Sequence, residues 1–224
     1  MQHSRSIPEL PQLCEGVHLL ETDGRAVGPL HALVLDHLLL EGGSAVWIDA
    51  NGHGISSHLA EVAPSRRVLD RIRIARGFTA SQHRALVQNA GAELGAETGL
   101  LVVPAVDARY RDEDIRGAEP ETLLLQTLSR LARYAREEGL PVLATRTDAD
   151  AFSAPVERLA TDVIEVERTA FGPRFRGADF ETLVYPEGGS TVQTTLAYWA
   201  RILGARRPLH ERGATQRSTA RVSP

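Results

Sequence analysis

The residues with the most chemical potential gather around Gly99-Leu-Leu-Val-Val-Pro-Ala-Val-Asp-Ala-Arg-Tyr-Arg111, an apolar run that turns polar from Asp107 to Asp114. Leu100 to Val103 read as a strand buried on both faces, as in a parallel sheet. Open α/β sheets bind ligands at the carboxyl ends of such strands. An acid there would hold magnesium, but this chain has Pro104. Asp107 stands three residues further on, roughly 10 Å away along an extended chain. A second group, Asp49, His53 and His58, surrounds the loop Asn51-Gly-His-Gly54. Its spacing matches no recognised metal set, so these read as solvated loop residues and no metal is expected. His31 and His37 read as partly buried helix residues, and Arg146 as a surface arginine able to meet an anion. There is no G-x-S-x-G elbow, and Cys14 has no evident activating neighbour.

Composition narrows the chemistry further. All 25 basic residues are arginine, so any mechanism that needs a lysine is excluded. With 224 residues and 42% hydrophobic content, the chain can bury one sizeable core, and one domain is expected. A single cysteine permits no internal disulfide and points to a reducing, cytoplasmic setting. No segment reads as a signal peptide, and Leu30 to Leu40 is too short and too interrupted to span a bilayer. From Ala205 onward, Arg206, Arg207, Arg212, Arg217 and Arg221 face one acid, Glu211, a net +4 that leaves −8 for residues 1–204 of the total −4. The body is acidic and the end basic.

The elements that must position these residues follow from pattern. Residues 1–15, with Pro8 and Pro11, read as an irregular arm. Gly16–Glu21 reads as a first strand, and a turn through Gly24 and Gly28 leads to a helix from Pro29 to about Leu40. Ser44–Asp49 reads as a second strand, Ile55–Val62 as a short helix, and Val68–Ala75 as a third strand or its lead-in. Ser81–Leu94 reads as a helix. Glu121–Glu138 is the clearest helix, with Leu124, Leu128, Leu131 and Ala135 at helical spacing and Gly139 as its stop. Pro141–Thr145 reads as a fifth strand before a loop over 146–155. Val163–Arg168, Arg174–Arg176 and Thr182–Tyr185 read as antiparallel hairpin strands, and Thr194–Leu203 as a last amphipathic stretch. The alternation predicts a doubly wound, largely parallel sheet extended by a C-terminal antiparallel β-meander. The expected division is an arm over 1–15, one core over 16–204 and a flexible Arg-rich tail over 205–224.

In order and spacing, several segments resemble the RecA/RadA recombinase superfamily, closest in size to its short archaeal RadB-like paralogues. Trp47-Ile-Asp-Ala-Asn-Gly52 is similar to that family's "IDTEG" segment, and Val68–Phe78 to its "VL-NI-AR-F" segment. Leu100–Arg111 is similar to "LIVVDS-TALYR", and Leu140–Thr145 to the strand entering the second DNA-binding loop. The resemblance covers roughly residues 16–195 and implies a RecA-like P-loop NTPase core.

Against that resemblance, four positions depart from nucleotide chemistry. The segment Gly24-Arg-Ala-Val-Gly-Pro-Leu-His31 has its glycines at the wrong interval for GxxxxGK[ST], with no lysine or hydroxyl, and Pro29 removes an N–H. Pro104 replaces the magnesium-associated aspartate. Asn51 stands where the resemblance puts the water-activating glutamate, and an amide is no general base near neutral pH. The γ-phosphate sensor "TNQ" reads Thr145-Arg146-Thr147. Gly24, Arg25, Gly28, Asp49, Asn51, Pro104 and Arg146 thus mark a degenerate nucleotide site to which no catalytic residue is assigned. No cofactor is expected, with ATP and magnesium as the alternative.

The resemblance also maps two DNA loops onto residues 108–119 and 146–157. The first sets Arg109, Tyr110, Arg111 and Arg116 against Asp112, Glu113 and Asp114, and the second is acidic. That charge leaves the C-terminal arginines as the better candidates for salt-sensitive, non-specific DNA contact. The expected function is that of an inactive paralogue in recombination or repair, working by contact with an active RecA/RadA-type recombinase or other repair protein, without a membrane. The alternatives are a nucleotide-binding switch or weak ATPase with a rebuilt site, and a DNA tether.

Overall fold

Strands buried on both faces need helices above and below them, and the chain supplies these in alternation. The computed structural model describes residues 7–25, 27–112, 119–184 and 196–220. In order they form β1 (Gly16–Thr22), α1 (Val27–Glu41), β2 (Ser44–Asp49), α2 (Ser56–Val62), β3 (Ile72–Arg76), α3 (Ala80–Asn89), β4 (Thr98–Val103) and α4 (Glu119–Glu137). Then come β5 (Pro141–Ala144), α5 (Ala154–Leu159), β6 (Asp162–Thr169), β7 (Gly172–Arg176), β8 (Glu181–Leu183), α6 (Leu196–Ala205) and α7 (Arg207–Ala220). The eight strands make one sheet in the order β3-β2-β4-β5-β1-β6-β7-β8. All pairings from β3 to β6 are parallel, and β7 and β8 add antiparallel. This is the mostly parallel α/β sheet with an antiparallel extension that the sequence pattern predicts.

Alternate strand residues feed two apolar layers. Leu20, Trp47, Leu100 and Val102 pack beneath α1, α2 and α6. Leu19, Ile48, Leu101 and Val103 pack beneath α3 and α4, where Leu124, Leu128 and Leu131 provide the stripe expected for α4. Leu10 and Leu13 tie the irregular N-terminal segment into the first layer.

α1 has no solvent face: nine consecutive residues, Leu30 to Leu38, are buried. A helix buried all round must be covered on the side away from the sheet, and α2, α6 and α7 cover it. The expectation of a flexible tail from 205 is therefore corrected. Residues 207–220 form α7, which packs along α1. Asp36 of α1 is 2% exposed. Its Oδ1 and Oδ2 accept from Arg206 Nε and Nη2 at 2.7 and 2.8 Å, and Oδ1 also meets His210 Nε2 at 2.7 Å. Arg217 donates to the carbonyls of Leu39 and Leu40 at the end of α1.

Smaller differences have local causes. Residues 66–71 form a 3-10 turn, and β3 begins only at Ile72, where pairing with β2 starts. α5 and a 3-10 turn over 108–111 occupy segments expected as loops. The last strand ends at Leu183, and Tyr185 lies outside the described residues. No helix among them is long and apolar enough to cross a membrane.

Asp36 tests the assignment of α7 to the core. Asp36→Ala leaves Arg206 buried without its anion, so stability should fall by about 3–5 kcal/mol. Glu211→Ala removes an exposed partner of Arg207 and should cost less than about 1 kcal/mol. Urea denaturation of the two variants checks the contrast.

Candidate functional site

The carboxyl ends of β1, β2, β4 and β5 converge where an open α/β sheet offers its ligand crevice. β1 ends at Thr22 and α1 starts at Val27, so only four residues connect them. Thr22 Oγ1 donates to the carbonyl of Gly24 at 2.8 Å, and Gly24 takes a φ of +83°, a conformation that favours glycine. Ala26 lies outside the described residues. Arg25 turns sideways and donates through Nη2 to the carbonyls of Asn51 and Gly52. Pro29, third in α1, offers no N–H at the helix start.

Under that helix start sits the indole of Trp199, fully buried. A Cβ on Gly28 would lie 2.4 Å from Trp199 Nε1, so glycine is what lets α6 approach. The cavity that remains, walled by Asp23, Arg25, Pro29, Arg168 and Trp199, measures about 50 Å³. Small-molecule sites run to roughly 300–1,000 Å³.

At the end of β2, Asp49 is 1% exposed. Its carboxylate accepts the backbone N–H groups of Asn51, His53 and Gly54 at 3.3, 2.9 and 3.1 Å, and Arg76 approaches to 3.5 Å. The carboxylate is thus committed to shaping the loop, while Asn51 itself is exposed. His31 Nε2 meets the carbonyl of His53 at 2.8 Å, with its ring edge-on to Trp47. Among the described residues no group of His, Cys, Asp and Glu has an arrangement fit to hold a metal.

Beyond β4 the chain turns back rather than continuing outward. Ala105 adopts a φ of +46°, rare for a residue with a Cβ, and its N–H donates to Thr145 Oγ1 at 2.7 Å. Asp107 is therefore not carried along the strand direction. It is fully buried and accepts from the Thr147 N–H at 2.7 Å and Arg111 Nε at 2.6 Å.

The same ion pairs staple together the two segments expected as DNA loops. Arg111 donates from both Nη atoms to Asp150, each at 2.8 Å, and lies over the Phe152 ring. The guanidinium holds the Asp150 carboxyl well below the usual carboxylate range. Arg109 donates to the carbonyl of Gly77, and the Tyr110 hydroxyl is buried between His83 and Thr127. Arg116, Glu113 and Asp114 lie outside the described residues. Arg146 is not the surface arginine expected. Its side chain is 8% exposed and paired with Glu21 and with Glu157, the latter at 3.0 Å.

Of the C-terminal arginines, Arg206 and Arg217 are turned inward and Arg207 pairs with Glu211. Arg212 is exposed, and Arg221 lies outside the described residues. The structure thus gathers Arg25, Gly28, Asp49 and Asn51 around one crevice and sends Arg146 to a separate ion-pair cluster. Sequence reasoning missed Trp199 and the Arg111–Asp150 link. A glycine directly before the proline of a helix start was the available signal for Trp199.

Residues 36–162, more than half of the chain, match the model of the Rad51 family. The matched region begins within α1 and reaches β6, so it does not include the connection between β1 and α1. No curated protein matches the chain.

Three buried histidines give a pH signature. Burial, first, pushes His31, His53 and His83 down to about 4, with the charges of Arg25 and Arg109 adding to the shift at His53 and His83. In the unfolded chain they titrate near 6.5. The unfolded state therefore binds more protons between these values. Stability from this source is complete above about pH 6.5 and is lost as pH falls toward 4, with a slope of up to ~4 kcal/mol per pH unit. Denaturation midpoints should drop from pH 7 to pH 5, and His31→Phe should flatten the fall.

Proposed function

The chain belongs to the Rad51 family, and from that membership we propose a recombination- or repair-related protein of the ATPase fold that does not turn over nucleotide and acts by binding. Its partner is an active RecA/RadA-type recombinase or another repair protein, and its place among relatives is that of a RadB-like paralogue. The observation that carries this reading is the filled helix start: Trp199 fits against Gly28 and leaves about 50 Å³ there, and the neighbouring cleft of about 340 Å³ at the ends of β1 and β5 is lined by Glu21, Asp23 and Asp148, which oppose a phosphate.

The chemistry agrees with the volume. Phosphoryl transfer depends on positioning and on cations placed around the phosphates. This chain has no lysine for the β/γ-phosphates, a proline for the magnesium-associated acid, and an amide at the general-base position. Arg25 is turned toward the carbonyls of Asn51 and Gly52. Asp49 is spent on backbone N–H groups.

Recombinase-style DNA binding is disfavoured for a related reason. Arg111 is neutralised by Asp107 and Asp150 before any phosphate could reach it. DNA contact through α7 is reduced to exposed groups such as Arg212, a non-specific and salt-sensitive term. A lone cysteine suits a cytoplasmic setting.

Calorimetric titration of ATP into the purified full-length chain, with and without magnesium, tests the reading. No saturable heat is expected in either condition. Micromolar binding would overturn it and favour a nucleotide-binding switch with a rebuilt site, in which case Arg25→Ala should weaken the affinity.

A further inference from the structure

A cavity of about 1,230 Å³ lies at the opposite end of the sheet from the crevice. Its walls come from the N-terminal segment around Cys14, the end of α1, the starts of β2, β4 and β5, and α7. α7 closes one side, so the recess exists only because the C-terminal helix folds back along α1.

Two half-buried arginines meet in this recess. Arg71, at the end of the 3-10 turn before β3, donates through Nη2 to the carbonyl of Leu38 at 2.8 Å. Arg217, from α7, reaches the carbonyls of Leu39 and Leu40. The position of Arg217 is built into the backbone. Gly42 has a φ of +84°, and a Cβ there would lie 2.8 Å from Arg217 Nε. A Cβ on Gly213 would lie 2.6 Å from the carbonyl oxygen of Leu40 and 3.1 Å from Arg217 Nη1. Two glycines thus clear the space that this guanidinium fills.

One arginine would be enough to cap a helix end, whose dipole amounts to about half a negative charge. Here there are two, and among the described residues neither joins an ion pair. Burial lowers the pKa of Arg71, and the charge of Arg217 lowers it further. Like charges held side by side in a partly desolvated recess attract anionic groups. The carboxylates on the cavity wall, Glu15, Glu41 and Glu97, oppose an extended polyanion and favour a single small oxyanion head.

We infer that the recess between α1 and α7 is a binding site for a small molecule carrying one oxyanion group, a phosphomonoester or a carboxylate, held by Arg71 and Arg217. The guanidiniums supply planar, charge-assisted donors suited to either group. The rest of the cavity has room for the body of the ligand. This site is independent of the reading of the nucleotide crevice, because it shares no residue with it.

The test is calorimetric titration of inorganic phosphate into the full-length chain at constant ionic strength, so that general screening is held fixed. Saturable binding with a dissociation constant on the order of 1 mM is expected for such a pair of contacts. Arg71→Gln and Arg217→Gln should each weaken it at least tenfold, while Arg133→Gln, on the outer face of α4, should leave it unchanged. Circular dichroism monitors folding, and Arg71→Gln decides the matter if Arg217→Gln loosens α7. Methyl phosphate and propionate then separate the two ligand classes. Tighter binding of the first supports a phosphomonoester, and of the second a carboxylate. No saturable binding of any of the three anions, or equal affinity in Arg71→Gln and the parent chain, overturns the inference.

Discussion

A carboxylate buried in a helix without a solvent face is the constraint on which the rest of this structure depends. Asp36 lies within the apolar run of α1, where ionisation is costly unless a cation and hydrogen bonds are supplied. Arg206 and His210 supply them from a point 170 residues later in the chain. To bring them there, α6 and α7 must fold back over α1. The return of those helices closes the first core layer, since Trp199, Ile202 and Leu203 all belong to it. It also decides what becomes of both ends of α1.

At the N-terminal end of α1, the returning helix delivers Trp199 beneath Gly28. An indole occupies the space beneath the start of α1, and four residues connect that helix to β1. At the C-terminal end, α7 delivers Arg217 beside Arg71 and walls off the large recess. One packing event therefore fills the space beneath the start of α1 and walls a cavity at the amino edge of the sheet. Burial of α1 supplies the driving force for both, because the apolar area it removes from water dwarfs any single polar contact at either end.

Around the carboxyl edge, a second set of interactions pairs charged groups within the chain. Asp49 gathers the N–H groups of its own loop, Asp107 caps the turn after β4, and Arg111 bridges Asp107 and Asp150. Arg146 does the same for Glu21 and Glu157. A charge paired with an opposite charge within the chain must break that contact before it can bind another ion.

The sequence by itself determined the strand–helix alternation, the parallel sheet with its antiparallel extension, and the family. Each of these rests on patterns local to the chain: apolar runs at Leu100–Val103, helical spacing at Leu124, Leu128 and Leu131, and ordered short segments such as Trp47–Gly52. It also fixed which chemical groups are missing, since the absence of lysine needs no coordinates. Only the tertiary structure decided where the remaining charges go. The arginines after Ala205 read as a solvated tail because nothing adjacent to them is acidic except Glu211. The partner of Arg206, Asp36, is distant in sequence and looked like an ordinary interruption of a helix. Arg146 and Arg111 misled in the same way, because pairing with Glu21 and Asp150 arises from strand order and loop return, not from spacing. Local periodicity encodes which face of an element is apolar, whereas the pairing of a lone charge is a long-range contact that only the folded chain brings about.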